Sequence, residues 1–136
     1  MRVLIDTNVV LDVLLNREPW IADARALWQA NEEGRVIGYI AASAITDIFY
    51  VARRLAGLET ARTAVTLCLE AFEICAVDHQ VLEQAQKMSG NDLEDNLQIA
   101  CARLAGLDAI VTRDKEGFSA SPTPVLTPAE LLGQLG

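Results

Sequence analysis

Four aspartates in this chain stand where ordinary structural duties account for them poorly: Asp6, Asp47, Asp95 and Asp114. Asp6 ends the apolar run Val3-Leu-Ile5 and is followed by Thr7 and Asn8, giving three oxygen-bearing side chains where a helix start needs one. Asp47 falls between Ile45 and Ile48 in a helical pattern, where Asp has poor propensity and no cap to make; a solvent-facing Asp is the plain alternative. Asp95 lies one turn inside a segment carrying Leu97, Ile99, Ala100 and Ala102, with Asp92 three residues earlier on the same face. Either acid would also favour the positive helix end, by ~0.3–1 kcal/mol. Asp114 follows Thr112-Arg113 beyond another apolar run, a place that a turn residue also fills.

Convergence of the four would have a chemical consequence. Two bare carboxylates ~5 Å apart repel by roughly 3 kcal/mol at an effective dielectric of ~20. Four exceed what a domain stable by ~5–15 kcal/mol tolerates without bound protons or cations. With one histidine in the chain and no Cys-x-x-Cys pair, an all-oxygen site points to Mg²⁺ or Mn²⁺. Such ions activate water for in-line attack on a phosphodiester and stabilise the leaving oxygen. Other acids have simpler explanations. Asp78 sits between a strand pattern and a helix pattern, as an N-cap does. Glu94 stands three residues after Asn91, the spacing of a capping box. Glu32, Glu33, Glu59 and Glu70 fall on helix ends or polar faces.

Basic residues near these acids are few. Arg54 is seven positions after Asp47, about 20° short of two helical turns, so both occupy one face. Arg113 and Lys115 flank Asp114. These three either contact phosphates or pair locally with acids such as Glu59 and Glu116. The aromatics Trp20, Trp28, Phe49, Tyr50 and Phe72 lie at or near helical core spacing and form no stacking series.

The elements that must hold these residues alternate along the chain. Strand patterns cover Arg2 to Ile5, Arg35 to Ile40, Glu73 to Val77 and Asp108 to Thr112, with a fifth from Pro124 to Leu126. Helix patterns begin at Pro19, after Ser43 and Thr60 as caps, after Asp78, over Leu93 to Leu104, and at Pro128. This alternation predicts a three-layer α/β/α sandwich around a mostly parallel sheet. Ligands in such sheets sit beyond the carboxyl ends of the strands, where Asp6 and Asp114 both fall.

Length and composition set the outer limits. The 136 residues suit one domain, 1–136, and 51% hydrophobic with 22% charged residues is globular rather than disordered. The apolar stretch Val36 to Ile45 is shorter than the ~18 residues of a membrane span. Cys68, Cys75 and Cys101 sit among aliphatics and read as buried thiols of a cytoplasmic protein. A net charge of −8 argues against a general nucleic-acid surface unless bound cations cancel part of it.

Taken together, Val3-Leu-Ile-Asp-Thr-Asn8, Ser43-Ala-Ile-Thr-Asp47, Asn91-Asp-Leu-Glu-Asp95-Asn-Leu-Gln-Ile-Ala100, Ile110-Val-Thr-Arg-Asp114 and Val125-Leu-Thr-Pro-Ala-Glu-Leu131 resemble a PIN-domain nuclease over almost the whole chain. The resemblance implies a metal-dependent ribonuclease whose ion is held by Asp6, Asp47, Asp95 and Asp114. Asn8 or Thr112 would support them, and Asp92 would contribute through water. It further implies a VapC-type toxin, often a homodimer, silenced by an antitoxin whose Arg or Lys would enter the acidic cleft. Asp47 departs from the pattern, since glutamate is more usual there. Two other readings use the same residues: a Mg²⁺-dependent phosphatase or phospho-acceptor domain, which Asn8 and the lone early Asp6 disfavour, and a catalytically silent PIN scaffold.

Overall fold

A computed structural model describes all residues, 1–136. Five strands, β1 (Arg2–Ile5), β2 (Ile37–Ala41), β3 (Glu73–Cys75), β4 (Ala109–Val111) and β5 (Val125–Leu126), form one sheet in the order β3-β2-β1-β4-β5. Every pairing is parallel. Seven α-helices connect or flank them: α1 (Thr7–Leu14), α2 (Ile21–Glu32), α3 (Ala42–Ala56), α4 (Leu58–Ala71), α5 (His79–Lys87), α6 (Leu93–Leu104) and α7 (Pro128–Leu135). A 3₁₀ turn, Lys115–Phe118, follows β4.

Side-chain alternation along the strands divides the interior into two cores. Val3 and Ile5, Ile40, and Ala109 and Val111 face a larger core shared with α1, α2, α3, α4 and α7. Leu4, Ala41 and Ile110 face the opposite core, built with α5 and α6. The sheet is thus covered on both sides, and its central strands read as continuous apolar runs for that reason. The three-layer α/β/α expectation holds, with a sheet that is parallel throughout. Pro19 precedes α2 by two residues rather than opening it.

Capping differs from expectation at three helices. Asp78 does cap α5, accepting from Val81 N at 3.0 Å. Ser43 does not cap α3, because the extended residue before the helix is Ala41 and Ser43 already lies inside the first turn. Thr60 is likewise interior to α4, which starts behind Gly57 at φ +92°, a conformation glycine adopts freely. At α6 the cap is Asp92, whose Oδ1 accepts from Asp95 N at 3.1 Å. The Asn91–Glu94 capping box is therefore absent, and the Glu94 side chain is left for another partner. A capping box does form at α7, between Thr127 and Glu130.

Candidate active site

Parallel register brings the first acid to its supports. Ile5 pairs with Val111, so the residues that leave β1 and β4 at the carboxyl edge, Asp6 and Thr112, are neighbours. Asp6 N bonds Val111 O at 2.9 Å, which fixes the start of this turn. By alternation both side chains turn toward the α6 layer. Asp6 Oδ2 accepts from Thr112 Oγ1 at 2.9 Å, and its Oδ1 accepts from Gln98 Nε2 of α6 at 3.1 Å. Thr112 Oγ1 in turn accepts from Asp114 N at 3.1 Å, tying the second strand-end acid into the same network. Asp6 occupies the N-cap position of α1, yet its side chain makes no capping bond. It is 6% exposed, and its partners are neutral. Burial pushes its carboxyl above the usual range, while the Gln98 and Thr112 bonds and the nearby α1 amides pull the other way.

Two wings extend from this centre. On one side, Asp95 and Asp114 meet at Gly117: a Cβ placed there would lie 2.7 Å from Asp95 Oδ2 and 3.7 Å from Asp114 Oδ2. Asp95 is pushed up to about 6 by burial and then by the charges of Asp92, Asp6 and Asp114. On the other side, Glu94 meets Asp47 of α3. Burial raises Glu94 to about 7, with further contributions from contact with Asp47 and from the Asp92 and Asp6 charges. Beside this pair opens a cleft of ≈ 300 Å³ lined by Thr7, Asn8, Leu11, Asp47, Tyr50, Val51, Arg54 and Glu94. None of the six acids takes part in an ion pair.

Spacing from Asn91 points Glu94 to capping, a duty that Asp92 performs instead. The position of Glu94 beside Asp95 and its lack of a cap to make are what place it in the cluster, and the spacing rule concealed both. Gln98 was also missed; a buried amide inside an otherwise apolar helix stretch is the signal that could have marked it.

The flanking cations fall into two groups. Arg113 is half-buried and engaged by a buried acid: its Nε and Nη2 donate to Asp12 at 2.9 and 3.4 Å, and its guanidinium lies 3.9 Å above the Trp20 ring. Asp12, 1% exposed and unremarked in the sequence, is shared with Arg17 at 3.7 Å. Lys115 pairs with Glu130 at 3.0 Å. The local partners are thus Asp12 and Glu130 rather than Glu59 and Glu116. Arg54 makes no ion pair and lines the cleft. Among the aromatics, Trp28 and Phe72 pack edge to face at 4.7 Å, as core residues do, whereas Trp20 and Tyr50 are 41% and 62% exposed.

The donor set suits a hard divalent cation: oxygen ligands, a surplus of negative charge without basic partners, and two groups already drawn toward protonation. Two buried polar atoms near it, Thr7 Oγ1 and Gln98 Oε1, have no hydrogen-bond partner. No three acidic, histidine or cysteine side chains close into a cage by themselves. An ion here would keep water in its shell, the usual habit of Mg²⁺. The three cysteines are buried away from these acids, and Cys68 and Cys101 are pushed up to about 12, unsuited to ligation.

Comparison with known families matches residues 2–116 to the PIN domain. The chain belongs to the PIN domain family. Its fold is also that of solved VapC structures. VapC20 of Mycobacterium tuberculosis, described as a toxin that cleaves the sarcin–ricin loop, superposes with a TM-score of 0.71 at 15% identity, covering 87% of this chain and 94% of that one. The toxin–antitoxin complex from Klebsiella pneumoniae gives 0.68 at 23% identity, covering 93% and 97%. DNA-bound VapBC from Salmonella typhimurium gives 0.70 at 17% identity, covering 93% and 96%. A comparison with functionally curated proteins returned no significant match. No helix of this PIN domain is long and apolar enough to cross a membrane.

Proposed function

We propose that this PIN domain is a Mg²⁺- or Mn²⁺-dependent endoribonuclease and the toxin of a toxin–antitoxin pair. The observation that carries the reading is Asp6: a buried carboxylate held only by neutral donors, at the centre of acids that no cation of the protein compensates. Asp6, Asp47, Asp95 and Asp114 would hold the ion, and Glu94, newly placed beside Asp47, extends that set. Asp92 serves α6 as its cap and acts on the site through its charge. The bound ion supplies Lewis acidity toward a phosphodiester oxygen and toward water. The chain's own residues orient the rest. Thr112 fixes Asp6 and the Asp114 amide together, and Gln98 fixes Asp6 from the helix side. Arg54, free at the cleft, is the residue placed to receive a substrate phosphate. The uncompensated acids also suit an inhibitory partner that inserts an Arg or Lys, which is how an antitoxin would silence the site.

The test is cleavage of single-stranded RNA in Mg²⁺, Mn²⁺ and EDTA, run beside induced expression of the wild type and Asp6→Asn. Metal-dependent cleavage, with growth arrest and RNA loss that both vanish in the variant, is expected. Arrest with intact RNA, or arrest that persists in Asp6→Asn, overturns the reading.

A further inference from the structure

The α3 side of the cleft carries one group, Tyr50, that hydrolysis itself leaves unused, set between two that it uses. Asp47, Tyr50 and Arg54 follow one another at i, i+3 and i+7, so one helix face presents an acid, a phenol ring and a guanidinium in sequence. Tyr50 is 62% exposed although its neighbours Ile48 and Ala52 are fully buried. Its ring is braced rather than loose, standing edge to face with Phe49 at 5.1 Å and 90°. Across the cleft stand Thr7 and Asn8 of α1 and Glu94 of α6. Thr7 is 4% exposed and its hydroxyl has no partner within the fold. The volume, ≈ 300 Å³, lies at the small end of the range for organic-ligand sites, ~300–1,000 Å³.

We infer that this cleft is a nucleotide subsite next to the scissile phosphate, with the base stacked on Tyr50 and a neighbouring phosphate on Arg54. The inference rests on the ribonuclease reading and adds the feature that would steer it toward unpaired RNA. A braced, exposed ring offers a π-face to any base, and only a base freed from a duplex can reach it. An acidic floor disfavours a phosphate deep in the cleft and leaves the guanidinium, one turn beyond Tyr50, as its seat. Preference from such a platform follows base exposure more than base identity.

Initial rates on short single-stranded RNA in Mg²⁺ test it, with the wild type, Tyr50→Phe and Tyr50→Ala. Tyr50→Ala should raise KM roughly tenfold and leave kcat within about twofold, the range of losing one stacked base. Tyr50→Phe should match the wild type, since stacking needs the ring and not the hydroxyl. Melting temperature should be unchanged in both, which separates recognition from folding. An abasic residue is then walked along the RNA. At one position it should raise the wild-type KM by the same factor and make Tyr50→Ala no worse. An unchanged KM in Tyr50→Ala, a loss also seen in Tyr50→Phe, or a penalty that persists wherever the abasic residue stands overturns the inference while leaving the nuclease reading in place. Failure of the wild type to cleave overturns both.

Discussion

Asp6→Asn keeps the shape of the side chain and removes one charge, so it separates ligation from packing. In EDTA two effects oppose each other. The substitution relieves repulsion on Glu94 and Asp95, both of which feel the Asp6 charge. It also sets an NH₂ group where Gln98 and Thr112 donate in the wild type, so one of them must reorient to accept, by a flip of the Gln98 amide, whose Oε1 has no partner, or by a turn of the Thr112 hydroxyl. Rearranging one buried hydrogen bond costs about 1 kcal/mol, which the relief of repulsion offsets. The metal-free variant should therefore melt within about 5 °C of the wild type, using ~3–5 °C per kcal/mol for a domain of this size. Mg²⁺ at about 100 times its dissociation constant stabilises the wild type by ~2.7 kcal/mol. That corresponds to a rise on the order of 10 °C, which should largely vanish in Asp6→Asn, together with more than about a 100-fold loss of cleavage. Calorimetry in EDTA and in Mg²⁺, paired with an RNA cleavage assay, reads both. Equal Mg²⁺ stabilisation of the two proteins, or retained cleavage, refutes Asp6 as a ligand.

Three other expectations follow from the same geometry. In EDTA, melting temperature should fall as pH rises from about 4 through 7, because Asp95 and Glu94 bind protons more tightly folded than unfolded, and the stability they lend is lost as they ionise near 6 and 7; saturating Mg²⁺ should flatten this slope, and scanning calorimetry across pH checks both. Gly117→Ala sets a methyl 2.7 Å from Asp95 Oδ2, a side-chain end that can move, so cleavage should drop about tenfold or more with only a small change in melting temperature. Asp12→Asn strips the buried end of the Arg113 pair and should destabilise by roughly 2–4 kcal/mol in urea unfolding; Arg113→Lys, which cannot reproduce the paired bonds, should lose a substantial part of the same stability.

The sheet was legible because its central strands are uninterrupted apolar runs and its helices carry apolar stripes, both consequences of a parallel sheet covered on two faces. Asp6, Asp95 and Asp114 were singled out by what they failed to explain locally, and the sequence placed them at strand ends and a helix start. The Glu94 position was misread for the opposite reason. Asn91 supplied a plausible local duty, and nothing within a few residues reveals that Asp92 already caps α6 while Asp47 waits some 47 positions upstream. Asp12 and Arg113 show the same limit, since they stand 101 positions apart and meet only after the sheet has formed. Tyr50 is adjacent in sequence to the half-buried Phe49 but two residues from both Ile48 and Ala52, which places it across α3 from the buried face of Ala44, Ile48 and Ala52. An aromatic beside a core position in sequence need not share its face, and only the i+3 and i+4 spacing separates core from cleft.

The register of β1 against β4 also governs when the site comes into being. Asp6 stands at the end of the first strand, but the backbone bond that fixes it comes from Val111 and its hydroxyl partner is Thr112, 106 positions later. Strand β1 lies mid-sheet, so one of its two edges stays open until β4 arrives. At synthesis rates of ~5–20 residues per second, that interval is roughly 5–20 s. During it the growing chain carries Asp6, Asp47 and later Asp95 without Asp114 or the strand that aligns them. A ribosome making this protein is therefore exposed to no assembled acidic centre until nearly the whole fold has been translated, and chains cut short before Ala109 should be inert however much of the N-terminal half they contain.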